Sequence, residues 1–185
     1  MNPDDQVYPE EADTRLLLAA ALAEVHPDDR VLEVGTGSGT IAAALAAAGG
    51  VVATEINPHA ASAARRLGVA VIRTDLVSGL CGLFTLVIFN PPYLPTAPEE
   101  RIPDWMERAL DGGPTGREVI GRFLHDAGRV LAPNGRILLL ISSLTGETEM
   151  RNLLEAEGYV SEPVSSLTYE GETLTVLRLR RNLQD

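Results

Sequence analysis

The chain has 185 residues, 45% of them apolar, and this composition excludes a disordered chain and indicates one globular domain over residues 1-185. Its formal charge is -11, which weighs against free nucleic acid as a substrate because phosphate binding needs a basic surface. All fifteen basic residues are arginine, a composition typical of a cytoplasm at high salt, where charge arguments weaken, or of a GC-rich genome.

No apolar run is long enough to cross a membrane, and residues 1-11 have neither the basic region nor the apolar core of a signal peptide. The one cysteine, Cys81, cannot form an internal disulfide, which agrees with a reducing compartment. We therefore expect a cytoplasmic protein. The three histidines lie far apart in the sequence, so no metal site is predicted.

Along the chain, an extended lead-in over residues 1-11 is followed by alternating helices and strands. Apolar residues at helical spacing and capping residues indicate the helices, and short apolar runs rich in branched side chains indicate the strands. Helices are predicted at residues 13-26, 40-48 (with Gly49-Gly50 as the stop), 58-67, 117-131 and 146-157, and strands at residues 30-34, 51-54, 69-73, 83-89 and 136-141.

The connections carry further signals. Residues 94-116 are predicted to form a long connection, in which Trp105 and Met106 are interpreted as a hydrophobic plug or as substrate contacts. Residues 133-135 are predicted to form a turn, and residues 169-172 the turn of a closing hairpin. The alternation of strands and helices predicts an α/β fold, with a mostly parallel sheet, helices on both faces and an antiparallel hairpin at one side.

Polar groups follow three consecutive predicted strands. Gly35, Gly37 and Gly39 come after the first strand and open a helix, where glycine lets a ligand approach the backbone and the helix N-terminus favours a negative group. Glu55 ends the second strand, where a carboxylate accepts from ribose hydroxyls, and Asp75 ends the third, placed to accept from an adenine amino group. Each motif alone also fits an ordinary turn or a solvated acid. Their occurrence in register favours adenosine binding.

The fourth predicted strand runs into Asn90-Pro91-Pro92-Tyr93, a strand exit that carries an amide and is held rigid by two prolines. Ligands of open α/β sheets bind at the carboxyl ends of the strands, so we expect the chemistry here. The alternative is that Asn90 only caps the strand and that Tyr93 is a half-buried aromatic residue.

Together these motifs resemble a known class of enzymes. The sequence EVGTGSG at residues 33-39, the acids Glu55 and Asp75, and NPPY at residues 90-93 resemble the class I S-adenosylmethionine-dependent methyltransferases. More narrowly, two longer segments are similar to the HemK-like glutamine methyltransferases. These segments are VYPEEADT at residues 7-14 and LDGGPTGREV at residues 110-119.

The resemblance covers residues 7-180, and the short chain resembles the single-domain archaeal and eukaryotic branch of that family, which methylates class 1 translation termination factors. It implies a Rossmann-like sheet of seven strands and S-adenosylmethionine as the cofactor. It also implies methyl transfer to the side-chain amide nitrogen of the glutamine in the GGQ motif of such a factor.

The resemblance further implies roles for residues. Asn90, Pro91 and Tyr93 are implied to be catalytic and, with Pro92, to bind the substrate. Asn90 Oδ1 and the Pro91 carbonyl would hold both amide hydrogens of the glutamine, a weak nucleophile, so transfer would depend on positioning and desolvation, with no general base nearby. The implied cofactor-binding residues are Tyr8, Thr14, Glu33, Gly35, Thr36, Gly37, Gly39, Glu55, Ile56, Asp75, Leu76 and Asn90, with Asp13 supporting Tyr8 and Thr14.

The third predicted strand is short and apolar and is expected at a sheet edge, where unpaired backbone groups are a liability unless covered. The resemblance implies a small zinc-binding activator subunit that adds a strand beside residues 69-72. The alternative is that Arg65, Arg66 and Arg73 protect the edge. As rival functions, an adenine-N6 or lysine methyltransferase would use the same scaffold, and a non-enzymatic rival is an adenosine-binding scaffold subunit.

Overall fold

The computed structural model describes residues 6-46, 50-169 and 171-182, and in these residues seven strands form one sheet. The strands are β1 (Val31–Val34), β2 (Val51–Glu55), β3 (Ala70–Arg73), β4 (Phe84–Phe89), β5 (Leu131–Ser142), β6 (Tyr159–Tyr169) and β7 (Glu172–Arg181). Their spatial order is β3-β2-β1-β4-β5-β7-β6. The first five strands pair in parallel, and β6 and β7 form an antiparallel hairpin that joins the sheet through β5. The predicted α/β fold with a closing hairpin is confirmed.

Helices pack on both faces of the sheet. They are α1 (Ala12–Glu24), α2 (Thr40–Leu45), α3 (Pro58–Arg66), α4 (Trp105–Leu110), α5 (Glu118–Ala127) and α6 (Glu147–Ala156). The predicted start of α3 is confirmed, because the Asn57 side chain accepts from the His59 N–H at 2.9 Å and Pro58 takes the first helical position. The predicted end of the second helix, with Gly49, lies outside the described residues, as does Glu170 in the predicted hairpin turn. None of the helices in the described parts of the chain has the length and apolar character that a bilayer crossing requires.

The segment from 94 to 116, predicted as a connection without regular structure, contains a 3-10 turn (Pro98–Glu100) and α4, so that prediction is wrong. Asp104 caps α4 by accepting from the Glu107 N–H at 2.7 Å, and the Asp-x-x-Glu spacing is a helix-start signal that the sequence carries. The segment then returns to its origin, because the Gly112 N–H donates to the Leu94 carbonyl at 2.9 Å.

The predicted boundary between the helix at residues 117-131 and the fifth strand is also wrong. Helix α5 ends at Ala127, and β5 begins at Leu131, before the predicted turn at residues 133-135. Phe84 pairs with Leu131 and Leu86 with Arg136, so the predicted turn is an irregularity inside a long strand. The proline and glycine there interrupt the register without ending the strand.

Strand β4 is apolar along its length because both of its faces are covered. Val87 and Phe89 belong to a core with α5 and α6, in which the rings of Phe89 and Phe123 lie 4.7 Å apart. The alternate residues, Leu86 and Ile88, belong to a second core with α1 and α2. This packing on both faces fixes the position of β4 and, with it, the position of residues 90-93 at its end.

An ion-pair network closes the amino end of the sheet. Asp29 accepts from Arg136 Nη2 at 2.8 Å, from the His26 N–H at 2.8 Å and from Thr85 Oγ1 at 2.7 Å. Burial opposes ionisation of Asp29, but the hydrogen bonds from Arg136, His26 and Thr85 outweigh it and lower its pKa from 3.8 to about 2. The network thereby joins the end of α1 to β4 and β5.

Replacing this carboxylate tests the network. We expect Asp29→Asn to lower the free energy of unfolding at neutral pH by about 2 kcal/mol, because the buried Arg136 would lose its nearer countercharge and keep only the longer ion pair with Glu24, at 3.5 Å. The pKa of Asp29 is lower in the folded chain, so its stabilisation is present above pH 3.8 and is lost as the pH falls toward about 2.

The measurement is denaturant unfolding of both proteins across that pH range, where the variant should lack this part of the wild-type decline. Asp28→Asn, the same change at the exposed neighbouring residue, is the matched control. Equal stabilities for the two variants would contradict the assignment.

Candidate active site

The carboxyl ends of the parallel strands open into one cavity of about 630 Å³. It lies where β1 has β2 on one side and β4 on the other, the point at which the strand order reverses and where open α/β sheets bind ligands. Its volume is in the range of pockets that enclose small molecules.

The glycine-rich turn after β1 forms the floor of the cavity. Gly35 and Gly37 line it with φ angles of 62° and 56°, a backbone region that residues with side chains rarely adopt. Gly39 does not line the cavity. A Cβ atom there would lie 2.6 Å from Ala64 Cβ, so this glycine serves the close packing of α2 against α3.

Two acids hold the turn, and the first of them, Glu33, lies beneath it. Glu33 Oε2 accepts from Thr36 Oγ1 at 2.5 Å and from the Ala42 N–H at 2.9 Å, and both Glu33 and Thr36 line the cavity. Burial raises the pKa of Glu33 to about 8, although its two hydrogen bonds favour the ionised form. Glu33 therefore links the start of the turn to the first turn of α2.

Glu55 at the end of β2 holds the turn from the side. Its Oε2 accepts from the Gly37 N–H and its Oε1 from the Asn57 N–H, each at 2.8 Å. Burial raises the pKa of Glu55 against the effect of these backbone donors. Each oxygen keeps a further lone pair, and both Glu55 and the following Ile56 line the cavity. The sequence placed this acid at the cavity but carried no sign of its contact with Gly37.

The predicted adenine-binding residues also lie on the cavity wall. Asp75 lines the cavity and forms an ion pair with Arg122 of α5, with 2.5 Å between Oδ2 and Nη2. Leu76, beside it, has a φ of 50°, a conformation that is strained for a residue with a side chain. The surrounding fold holds this wall in one shape despite the strain.

The strand exit of β4 meets the start of α1 in the cavity. Asn90 Nδ2 donates to Asp13 Oδ2 at 3.0 Å, while Asn90 Oδ1 is buried and has no hydrogen-bond partner among the described residues. Pro91, Pro92 and Tyr93 line the adjoining wall. The sequence predicted no general base near this motif, and Asp13 is the ionisable group that the structure places beside it. Residues 77 positions apart meet here, a separation that no local pattern reveals.

Asp13 is itself fixed by its neighbours. It is 3% exposed, and its Oδ1 accepts from the Thr14 N–H at 2.6 Å and from Thr14 Oγ1 at 3.3 Å. The Tyr8 hydroxyl donates to Oδ2 at 3.4 Å, so the predicted support of Tyr8 and Thr14 by Asp13 is confirmed. Burial, followed by the charge of Asp13, raises the pKa values of Tyr8 and Tyr93, so both phenols are neutral at physiological pH.

The glycine-rich loop at residues 111-116 lies against the backbone of the strand exit. A Cβ atom at Gly112 would lie 2.9 Å from the Pro92 carbonyl oxygen, and one at Gly116 would lie 2.3 Å from the Tyr93 carbonyl oxygen. Only glycine allows this close approach. The loop therefore packs directly against the backbone of the two prolines and the tyrosine and supports them.

The sequence left the role of one cavity residue open and missed another. Trp105 lines the cavity rather than only plugging the fold, and its backbone N–H donates to Gln6 Oε1 at 3.1 Å. Glu172, at the start of β7, also lines the cavity and accepts from Ser142 Oγ at 2.6 Å. The hairpin pattern predicted β7 but could not show that its first residue reaches the ligand end of the sheet.

Comparison with known proteins finds relatives that match most of the chain. No protein-family model matches the chain. It is 36% identical over 184 residues to a protein assigned as an N5-glutamine methyltransferase in Methanocaldococcus jannaschii, covering 95% of this chain and 92% of that protein. It is 35% identical over 193 residues to the methyltransferase HEMK2 of Homo sapiens, covering 95% of this chain and 90% of that protein.

A solved structure agrees with these relatives. The E. cuniculi Mtq2-Trm112 complex, described as responsible for the methylation of the translation termination factor eRF1, matches with a TM-score of 0.79 and 30% identity. The match covers 95% of this chain and 99% of that chain.

The fold and the site define a class I S-adenosylmethionine-dependent methyltransferase. The glycine turn, two wall carboxylates and a neutral amide form a donor and acceptor set that fits an adenosine cofactor. The chain belongs to the HemK-like family of protein N5-glutamine methyltransferases, which confirms the resemblance carried by its motifs.

A conservative change at Glu55 tests the cofactor side of the cavity. Each oxygen of Glu55 accepts from a different backbone N–H, so Glu55→Gln must turn an amide NH2 toward either Gly37 or Asn57. We expect binding of S-adenosylhomocysteine to weaken by about 1.5-3 kcal/mol, measured by titration calorimetry. Glu147→Gln at the exposed start of α6 is the control, and equal affinities for the two variants would refute the role of Glu55.

Proposed function

We propose that this protein transfers the methyl group of S-adenosylmethionine to the side-chain amide nitrogen of the glutamine in the GGQ motif of a class 1 translation termination factor. The observation that carries the proposal is the buried, unpartnered Oδ1 of Asn90 at the strand exit. A buried acceptor without a donor is costly, and a primary amide supplies the missing donor. The names of the relatives and the description of the Mtq2-Trm112 complex support the same substrate class.

Positioning is the contribution that the strand exit makes to the reaction. A glutamine nitrogen is a weak nucleophile because its lone pair is delocalised into the carbonyl group. Asn90 Oδ1 and the Pro91 carbonyl accept the two amide hydrogens and aim the nitrogen at the methyl group, and Tyr93 packs over the side chain. Orientation of this kind, with water excluded, accounts for several kcal/mol of a reaction barrier, about 7-11 in well-oriented model systems.

The other side of the cavity holds the cofactor in this proposal. Glu55 accepts from the ribose hydroxyls through its remaining lone pairs, and Asp75 accepts from the adenine amino group while paired with Arg122. Gly35, Gly37, Tyr8 and Thr14 would hold the amino-acid part of the cofactor. Bound there, S-adenosylmethionine would supply an electrophilic methyl group on a sulfonium. Its transfer would leave the thioether S-adenosylhomocysteine, and one amide proton of the glutamine would go to water.

Removal of the Asn90 side-chain amide should affect methyl transfer and cofactor binding to different extents. We expect Asn90→Ala to lower the methyl-transfer rate by about 100- to 1000-fold, the effect of deleting one preorganised hydrogen-bonding group from a reaction site. The affinity for S-adenosylhomocysteine should stay within about threefold, a change below 1 kcal/mol. Asn134→Ala in the exposed part of β5 is the control. An Asn90→Ala enzyme with half of the wild-type rate would exclude the amide from catalysis.

The experiment that tests the function is mass spectrometry of substrates after incubation with the protein and methyl donor. A class 1 termination factor, duplex DNA and a lysine-rich histone-like peptide are compared side by side. We expect methylation of the GGQ glutamine alone. An unmodified glutamine together with methylated adenine or lysine would replace this proposal by one of the rivals, and no transfer to any substrate would favour the scaffold subunit.

The sheet edge at β3 supports a partner of a particular kind. Ile72 on β3 and Leu67, just before it, are large apolar residues that are 45% and 57% exposed. Arg65 donates to the Val71 carbonyl at 2.8 Å, which satisfies one backbone group of the strand and leaves the apolar side chains uncovered. The partner proposed here is a small zinc-binding subunit that adds a strand to this edge in the cytoplasm. The Mtq2-Trm112 complex of the structural relative supports a protein partner.

A charge at the edge tests this partner. Ile72→Asp should abolish a stable complex with the zinc-binding subunit, because a carboxylate would have to leave water in the interface. The complex is measured by size-exclusion chromatography with light scattering. Val160→Asp, at an equally exposed apolar residue on the opposite edge strand, should leave the complex intact. An isolated wild-type chain that is soluble, monomeric and fully active would refute the partner.

A further inference from the structure

The orientation of the Asn90 amide is imposed by a single carboxylate. An asparagine amide can rotate by half a turn with little change in shape, which exchanges its oxygen for its NH2 group. In this structure Nδ2 faces Asp13 Oδ2 at 3.0 Å. An ionised carboxylate accepts hydrogen bonds and donates none, so it selects the orientation in which Oδ1 points away from it.

Asp13 is held in place by groups outside the substrate side of the cavity. Its Oδ1 accepts from the backbone N–H and the hydroxyl of Thr14, so Oδ2 is the oxygen that remains for Asn90, which shares it with the longer hydrogen bond from the Tyr8 hydroxyl. The residue is only 3% exposed, so its side chain has little freedom to leave these hydrogen bonds. The carboxylate is therefore a fixed reference against which the asparagine amide is set.

We propose that Asp13 is a positioning residue for methyl transfer, which acts by holding Asn90 with Oδ1 presented to the substrate amide. This inference rests on the proposed function and adds to it the group that decides which end of the Asn90 amide, the oxygen or the NH2 group, faces the substrate. The charge-assisted hydrogen bond also draws the Asn90 amide toward its dipolar form, which makes Oδ1 a stronger acceptor. Asp13 touches neither the methyl group nor the substrate nitrogen in this scheme.

The contacts predict what Asp13→Asn does. The Thr14 N–H needs an acceptor, so the new side chain places its oxygen there and its NH2 group where Oδ2 was. Two NH2 groups then face each other, and Asn90 relieves the conflict by rotating its amide. The rotated residue offers NH2 hydrogens to the substrate instead of an oxygen. Asn90 then repels the NH2 group of the substrate glutamine that it should bind.

Exchanging the two residue types repairs the arrangement. In Asn90→Asp alone, two carboxylates face each other at hydrogen-bond distance, which is unfavourable. In the double variant Asp13→Asn/Asn90→Asp, the new amide at position 13 donates to the new carboxylate at position 90. The other oxygen of that carboxylate points where Oδ1 stood and again accepts from the substrate.

The kinetic test measures kcat and KM on the termination factor for the wild type, both single variants and the double variant. We expect each single variant to lose about 100-fold in kcat, the effect of one misplaced hydrogen-bonding group, with the affinity for S-adenosylhomocysteine little changed. The double variant should recover at least about tenfold over either single variant. Asp28→Asn serves as the unaffected control, and thermal unfolding identifies any variant that does not fold.

Two results would overturn the proposal. One is an Asp13→Asn enzyme with at least half of the wild-type kcat. The other is a folded, cofactor-binding double variant that is no more active than the single variants. If the wild type itself leaves the termination factor unmodified, the proposed function fails instead, and a measurement without turnover then decides the role of Asp13.

That measurement is hydrogen exchange of the Asn90 side-chain NH2 group by nuclear magnetic resonance. We expect slow exchange in the wild type, because the group is bonded to a buried carboxylate, and exchange at least about tenfold faster in Asp13→Asn. Fast exchange already in the wild type would refute the fixed orientation whatever the substrate is.

Discussion

A carboxylate that leaves water must find hydrogen-bond donors, and this constraint shapes the cavity more than any other. Glu33, Glu55 and Asp13 are all buried at the carboxyl ends of the strands, and each takes at least one donor from a loop of the cavity wall. The glycine turn is held by the first two acids, and the strand exit of β4 by the third. The hydrogen bonds that stabilise the buried acids thus also fix the positions of the glycine turn and the strand exit.

Much of the architecture was predictable from local sequence signals. Short apolar runs bounded by glycine, proline or an acid locate five parallel strands, and Asn57-Pro58 marks the start of α3. These signals work because each is decided within a few residues by backbone sterics, capping and burial. The errors are one missed helix, α4, despite its Asp104 cap, and one wrong boundary, since residues 133-135 interrupt β5 without ending it.

The sequence predicted which residues belong to the site better than it predicted the hydrogen bonds between them. The motifs placed Glu55, Asp75 and Asn90 at one edge because the ends of parallel strands meet there. They could not show that Glu55 binds the Gly37 N–H or that Asn90 binds Asp13, since those contacts depend on side-chain direction and on helix packing. The separation along the chain hides such pairs from any local pattern.

The two ends of the sheet use charge in opposite ways. At the amino end, Arg136 and Arg178 share Glu24, and Arg136 also binds Asp29, so the charges are mutually satisfied. The planar guanidinium suits this arrangement because it forms several hydrogen bonds at once and stays ionised when buried. At the carboxyl end, Glu33, Glu55 and Asp13 are bound by neutral donors, and of the cavity acids described above only Asp75 is paired with an arginine.

The contact between Gly39 and Ala64 has a consequence for how such a sequence can vary. The two residues bring α2 and α3 so close that one added carbon at position 39 would lie 2.6 Å from its neighbour. A larger residue at either position pushes α3 outward, and α3 carries the Asn57 cap whose backbone N–H holds Glu55. Substitutions at these two positions are therefore coupled to each other and, through the helix, to the geometry of an acid that neither of them touches.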